Sequence, residues 1–359
     1  MRPHVLVARM DSMGDVLLAG PAIRAVAAGA RRVTLLCGRR GRAAAELLAG
    51  VDELVEHTAP WIDPEPAPLD AAATLALVSR LAGLGIDQAL VLTSYHQSPL
   101  PLALLLRLAG VATVSAICDD YPGSLLDVRH HMPDGIHEVE RALSLVATLG
   151  YHLPPGDDGR LRVRGDALNG TSPAAPDGPY VVVHPGASVT ARAWSPPRWV
   201  ETVDALVASG RRVVVTGAAS ERALATTVAG GPRQPEVTDL AGSTDVAGLA
   251  SVLGRADAVV VANTGPAHLA AAVGTPVVSL FAPTVGIDAW RPWGVPQVLL
   301  GRHGIACAGC RARTCPVAGH PCLEDVTVDE VVAAVDRLAP PACLAGTQWP
   351  PTSVPTGAR

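Results

Sequence analysis

Lysine is absent from this chain, so its 28 basic residues are all arginine, set against 33 carboxylates for a net charge of −5. An acidic balance lacks the basic footprint by which proteins hold nucleic-acid backbones, so no nucleic-acid partner is expected. Aromatic residues make up 3% of the chain and phenylalanine occurs once. With hydrophobic content at 49%, the cores must be filled by Ala, Val and Leu. Arginine in place of lysine, with abundant Ala, Gly and Pro, fits the codon bias of a high-G+C genome. No apolar run approaches the ~20 residues of a membrane-spanning helix; the nearest, 99–106, ends at Arg107. The opening MRPHVLVARM passes directly into a strand pattern without a signal peptide. The expected location is therefore cytoplasmic. A basic cluster at Arg31, Arg32, Arg39, Arg40 and Arg42 leaves peripheral membrane contact open, against the plainer account of a solvated face. Also missing are a Gly-Lys-Ser/Thr phosphate loop and a properly placed G-x-G-x-x-G turn.

What is present is an alternation of apolar runs and helical patterns, twice over. The first half predicts strands at 4–9, 32–37, 88–92 and 111–116, with helices at 16–28, 42–48, 71–84, 100–109 and 136–149. Residues 154–179 turn rich in Pro, Gly and Asp, with at most a short strand at 161–163. The alternation then restarts. Strands are expected at 180–184, 212–216, 237–240, 258–262, 276–281 and 297–300, and helices at 197–209, 220–228, 245–255, 266–273 and 328–338. The prediction is an α/β protein of two Rossmann-like, doubly wound domains facing a central cleft. They cover 1–153 and 180–338, joined by a linker at 154–179 and followed by a largely disordered tail at 339–359.

Ligands of open α/β sheets bind beyond the carboxyl ends of the strands, and three loops there stand out. The first, Met10 to Asp15, leads into a helix whose start favours the Asp15 carboxylate in its ionised form. Asp15 also suits a plain N-cap. In the second, His184 to Arg192, Gly186 and Ala187 allow close backbone approach. Ser188 and Thr190 offer hydroxyls, and Arg192 offers a planar fork suited to phosphate. Nearby, Thr216 and Gly217 end a strand, and Glu221 could take ribose hydroxyls or simply occupy a dipole-favoured position. The third runs from Asn263 through Thr264 and Gly265 to His268, with Pro266 at the first helical position and Thr264 placed to cap the donors above it. A capped helix start offers N–H groups and a positive dipole end to an anion. An ordinary βαβ crossover with good capping reads the same way.

Together these segments resemble glycosyltransferase family nine, the ADP-heptose lipopolysaccharide heptosyltransferases. The resemblance rests on S-M-G-D at Ser12 to Asp15 followed by Leu17 and Pro21, and on H-P-G-A-S at His184 to Ser188. It continues through R-A-W at Arg192 to Trp194, T-G-A-A-S-E at Thr216 to Glu221 and T-G-P-A-H-L-A-A-A-V-G-T-P at Thr264 to Pro276. The helix from His137 to Arg141 and the cysteine-bearing stretch to Cys322 and Leu323 also look like the family. The resemblance implies the GT-B fold, with the acceptor in the N-terminal half and a nucleotide sugar, ADP-heptose foremost, in the C-terminal half. It implies an inverting, metal-independent transfer with Asp15 as general base and no cofactor. Ser12, Met13 and Gly14 then lie on the acceptor side. Ser188, Thr190, Arg192, Thr216, Gly217, Glu221, Asn263, Thr264, Gly265 and His268 lie on the donor side. Arg192 stands where relatives often carry Lys, and Asn263 where they commonly carry Asp. The loop TSYHQSP at Thr93 to Pro99 has no close match, so the acceptor, a glycan or a small metabolite, is not carried over.

Cys307, Cys310, Cys315 and Cys322 are spaced C-x2-C-x4-C-x6-C, with His303 and His320 nearby. Four thiolates could hold a structural zinc, although the spacing lacks the usual two-knuckle separation; a reduced cluster against the last helix is the alternative. Cys37, Cys118 and Cys343 read as incidental thiols. Two other functions fit the same residues: a GT-B-type sugar-nucleotide epimerase, which needs no acceptor, and a sugar-nucleotide-binding protein without turnover.

Overall fold

The computed structural model describes residues 1–94, 96–169, 175–230 and 235–340. Its first half interleaves β1 (His4–Arg9), α1 (Met13–Leu18), α2 (Gly20–Gly29), β2 (Arg32–Cys37), α3 (Arg42–Ala45), β3 (Glu53–Glu56), α4 (Ala71–Leu84), β4 (Gln88–Val91), α5 (Leu100–Leu108), β5 (Thr113–Ile117), β6 (Val128–His130) and α6 (Glu138–Ala147). Its second half contains β7 (Val181–His184), α7 (Pro196–Ala208), β8 (Val213–Val215), α8 (Arg222–Val228), β9 (Val237–Asp239), α9 (Val246–Gly254), β10 (Ala258–Ala262), α10 (Gly265–Ala272), β11 (Val277–Leu280), α11 (Ile287–Trp290), β12 (Gln297–Leu300), α12 (Pro321–Glu324) and α13 (Val328–Leu338).

The strands form two six-stranded sheets, ordered β3-β2-β1-β4-β5-β6 and β12-β11-β10-β7-β8-β9. All pairings are parallel; β1, for example, pairs His4 with Arg32 on one side and Val5 with Gln88 on the other. Strands covered by helices on both faces must be apolar throughout. Accordingly Val5, Leu6 and Val7 in β1 and Ala258 to Ala262 in β10 are completely or almost completely buried. In each sheet the strand order reverses once, between β1 and β4 and between β7 and β10. Those reversals open the crevices in which doubly wound sheets hold ligands.

The two crevices meet because α1 and α10 pack together at their N-termini. A Cβ on Gly14 would lie 2.8 Å from His268 Cδ2, and one on Gly265 would lie 2.5 Å from Met13 Cε. Only glycine permits so close an approach at these two positions.

Several elements differ from the sequence expectation. The helix expected at 16–28 is two helices, with Ala19 ending α1 and capping α2 and a proline in the first turn of α2. Proline has no N–H to continue the ladder. The edge strands β3 and β6 were not anticipated, being short and only partly buried, and 161–163 is not a strand. The proline-rich tail at 341–359, with Cys343, lies outside the described residues, as do Tyr95 and the linker segment 170–174.

Candidate active site

The N-terminal side of the site is built around an arginine that ends β1. Arg9 is buried. Its Nη2 donates to Asp15 Oδ1 at 3.1 Å and to Ser94 Oγ at 3.0 Å, and its Nη1 donates to Glu138 Oε2 at 3.1 Å. The same Nη2 lies 3.3 Å from Asp11 Oδ2, and Ser94 Oγ donates to that oxygen at 2.7 Å. Arg141 pairs with the far oxygen of Glu138 at 3.1 Å. Two guanidinium groups thus face three carboxylates. Burial opposes the charge on Asp15, but Arg9 and two hydrogen bonds from Ser12 prevail and hold the carboxyl below its usual range. At Asp11 burial prevails over Arg9, and with the neighbouring Asp15 it pushes the carboxyl up to about 6.

Ser12 precedes α1 in extended conformation, at its N-cap. Its N–H and its hydroxyl both donate to Asp15 Oδ2, at 3.1 and 2.6 Å. Asp15 is therefore fixed at both oxygens, while its side chain keeps 14% of its surface exposed.

The C-terminal side presents the start of α10. Thr264 occupies the N-cap as expected, but its hydroxyl does not cap the helix; it donates back to Ala262 O at 3.4 Å. The first-turn donors are thereby left without a side-chain partner, as an anion site requires. His268 is buried on this helix, and burial pushes its imidazole down to about 4, with Asp15 resisting and Arg192 assisting the shift. Its Nδ1 is buried without a hydrogen-bond partner. Arg192 donates from Nε to Thr284 Oγ1 at 3.2 Å and from Nη1 to Asn263 O at 3.4 Å. Asn263 donates to Ala282 O and accepts from Ala282 N–H, both at 3.3 Å. An amide makes both bonds at once and ties the ends of β10 and β11 together; a carboxylate can make only one.

A cleft of about 420 Å³ joins the two sides. Asp11, Ser12, Gly14, Asp15, Ser94, Arg39 and Arg40 line it from the first half. Ser188, Arg192, Asn263, Thr264, Gly265 and His268 line it from the second, with Arg311 and Arg313 from the cysteine-bearing loop. The structure therefore brings most of the sequence-derived residues to one cavity.

The remaining ones lie off its wall. Met13 packs against Gly265. The Thr190 hydroxyl donates to Arg313 O at 2.9 Å and is spent on holding that loop. Thr216 pairs with His184 Nδ1 at 3.0 Å. Glu221 takes the N–H of Ala218 at 2.8 Å and sits 3.8 Å from His184 Nε2. A Cβ on Gly186 would collide with its carboxylate at 2.1 Å, so Glu221, Gly186 and Gly217 form a second cluster beside His184.

The sequence pattern that defines glycosyltransferase family 9 (heptosyltransferase) matches residues 76–320. The chain belongs to this family. It is 33% identical over 239 residues to lipopolysaccharide heptosyltransferase 1 of Pseudomonas aeruginosa, covering 64% of each chain. It is 32% identical over 226 residues to lipopolysaccharide heptosyltransferase 3 of Escherichia coli K12, covering 57% of this chain and 60% of that one. Each match thus spans less than two thirds of the curated relative. The solved structure of E. coli heptosyltransferase WaaC with ADP-2-deoxy-2-fluoro heptose superposes with a TM-score of 0.71 at 23% identity, covering 93% and 99% of the two chains. The architecture is the GT-B fold.

Within this family 9 chain, the cysteine loop forms one wall of the cleft. Gly309 N–H donates to Pro283 O at 2.7 Å and Arg311 N–H to Thr284 O at 2.9 Å. Burial, then Cys315, Cys307 and Cys310, push the Cys322 thiol up to about 11, so the four thiols share a neighbourhood. They do not form the ligand set that the zinc alternative would need: among the described residues no three His, Cys, Asp or Glu side chains are grouped to hold a metal ion. Sequence reasoning missed Arg9, Asp11 and Ser94. Arg9 had one signal, a lone charge in an otherwise apolar buried strand, which demands partners from elsewhere.

Proposed function

We propose that the chain is an inverting glycosyltransferase that moves a heptose from ADP-heptose to an acceptor hydroxyl, with Asp15 as general base. The acceptor class is a glycan, such as a lipopolysaccharide core, or a small metabolite. One observation carries this reading: an ionised carboxylate and an uncapped helix start with Arg192 face each other across one cleft. The donor in the fluoro-heptose complex of the E. coli relative supports the choice of nucleotide sugar.

In the proposed reaction the acceptor oxygen attacks the anomeric carbon as its proton leaves toward Asp15. The bond from that carbon to the diphosphate oxygen breaks on the opposite face, which inverts the centre. The electron pair departs with ADP. Its charge meets the first-turn N–H groups of α10 and the Arg192 guanidinium, donors preorganised for a developing anion. The same groups would hold the diphosphate without calling on a metal. His268, kept neutral by burial, adds no second cation there.

No helix among the described residues is long and apolar enough to cross a membrane, and contact of Arg39 and Arg40 with a membrane surface belongs to the same proposal. A thermal-shift panel of ADP-, GDP-, UDP- and dTDP-sugars tests the donor. Ligand at a hundred times its Kd stabilises the folded state by about 2.7 kcal/mol, so ADP-heptose should raise the midpoint most. A larger rise with a UDP- or GDP-sugar would overturn the choice of donor.

A further inference from the structure

Ser12 opens α1, and its hydroxyl is turned to the carboxylate three residues on: Ser12 Oγ donates to Asp15 Oδ2 at 2.6 Å. Ser12 also lines the cleft, where a lone pair of its Oγ can take a hydrogen bond from an acceptor hydroxyl. The opposite oxygen of Asp15 faces Arg9, whose side chain is 4% exposed. With Arg9 held against Oδ1, the Ser12 hydroxyl on Oδ2 offers a route by which a proton from the cleft reaches Asp15.

Building on the assignment of Asp15 as base, we propose that Ser12 is a catalytic residue that relays the proton from the acceptor hydroxyl to Asp15. In one step the acceptor O–H proton passes to Ser12 Oγ, and the proton already on Ser12 passes to Asp15 Oδ2. The freed electron pair forms the new bond to the anomeric carbon, and the diphosphate leaves with the pair of the broken bond. Ser12 ends neutral and Asp15 protonated; the reverse relay returns the proton to solvent after product leaves.

The test follows ADP release from ADP-heptose with heptose-deficient lipopolysaccharide core as probe acceptor, in mixtures of H2O and D2O. Two protons in flight give wild-type protein a curved dependence of kcat on deuterium fraction. Ser12→Ala should lower kcat by about 10²-fold, leave ADP affinity unchanged and make the dependence linear, while Ser12→Thr restores most of the rate and the curvature. Ser12→Ala at the wild-type rate, or slower with the curvature retained, overturns the relay. If Ser12→Ala no longer binds ADP, its fold is lost and Ser12→Thr carries the test, a curved dependence supporting the relay and a linear one overturning it. Wild-type protein that binds ADP-heptose but transfers to no acceptor fails at the underlying assignment, and the relay falls with it.

Discussion

Arg9 and Asp15 meet through a 3.1 Å hydrogen bond at the mouth of the first sheet, six residues apart in sequence and joined across the turn that ends β1. The contact fixes one oxygen of the proposed base. It also places Asp15 in a network with Asp11 and Glu138, where three carboxylates compete for the charge of Arg9.

That competition has a pH signature at Asp11. Its carboxyl is raised to about 6 by burial, so the folded protein holds this proton more tightly than the unfolded chain does. The stability it contributes is full below an ordinary aspartate value of about 4 and is lost as pH rises through 6. Asp11→Asn cannot ionise, so its thermal midpoint should gain on wild type between pH 4 and pH 7. Asp15 shifts the other way, and its own titration falls at more acid pH. A gap that stays constant across the window contradicts the burial of an ionising Asp11.

The approach of α1 to α10 predicts opposite outcomes for two glycines. Gly14→Ala drives a Cβ toward His268 Cδ2 at 2.8 Å and should cost about 1–3 kcal/mol, the usual range for overpacking. Gly83, inside α4, has nothing within 4 Å of an added Cβ, so Gly83→Ala should stabilise by about 0.5–1 kcal/mol. Urea denaturation of both variants checks the contrast; equal effects would refute the tight helix contact.

Asn263 predicts a graded loss. Asn263→Ala leaves the Ala282 N–H without its partner, while Ala282 O keeps the Thr284 N–H at 2.8 Å, and should cost about 1–3 kcal/mol for the one group left buried and unpaired. Asn263→Asp keeps the acceptor half and should fall between Asn263→Ala and wild type at neutral pH. An Asn263→Ala protein as stable as wild type would show that water replaces the amide.

These predictions rest on features that were legible in the sequence to different degrees. Strands 4–9, 32–37 and 258–262 coincide with their expected bounds because runs buried on both faces are largely apolar, and the partly buried edge strand 297–300 coincides as well. The loops after β1, β7 and β10 were visible because Gly, Pro and polar residues interrupt those runs. The break of α1 from α2 carried a signal, Gly20-Pro21, that the continuous apolar periodicity across Ala19 overrode. The Arg9 network was hidden for another reason: Ser94 and Glu138 lie 85 and 129 residues away, and only strand order brings them together. The turned hydroxyls of Ser12 and Thr264 were also invisible, since both residues suit an N-cap by type and only geometry shows Ser12 donating to Asp15 and Thr264 leaving its helix uncapped.

The central claim, Asp15 as base in a transfer from ADP-heptose, is tested most directly by measuring donor affinity and heptose transfer together in wild type and Asp15→Asn. Removing a general base costs about 10²–10⁴-fold in rate, whereas the donor groups on α10 and Arg192 remain in place. The account predicts a loss of transfer in that range with ADP-heptose affinity unchanged. Transfer by Asp15→Asn at the wild-type rate would contradict it.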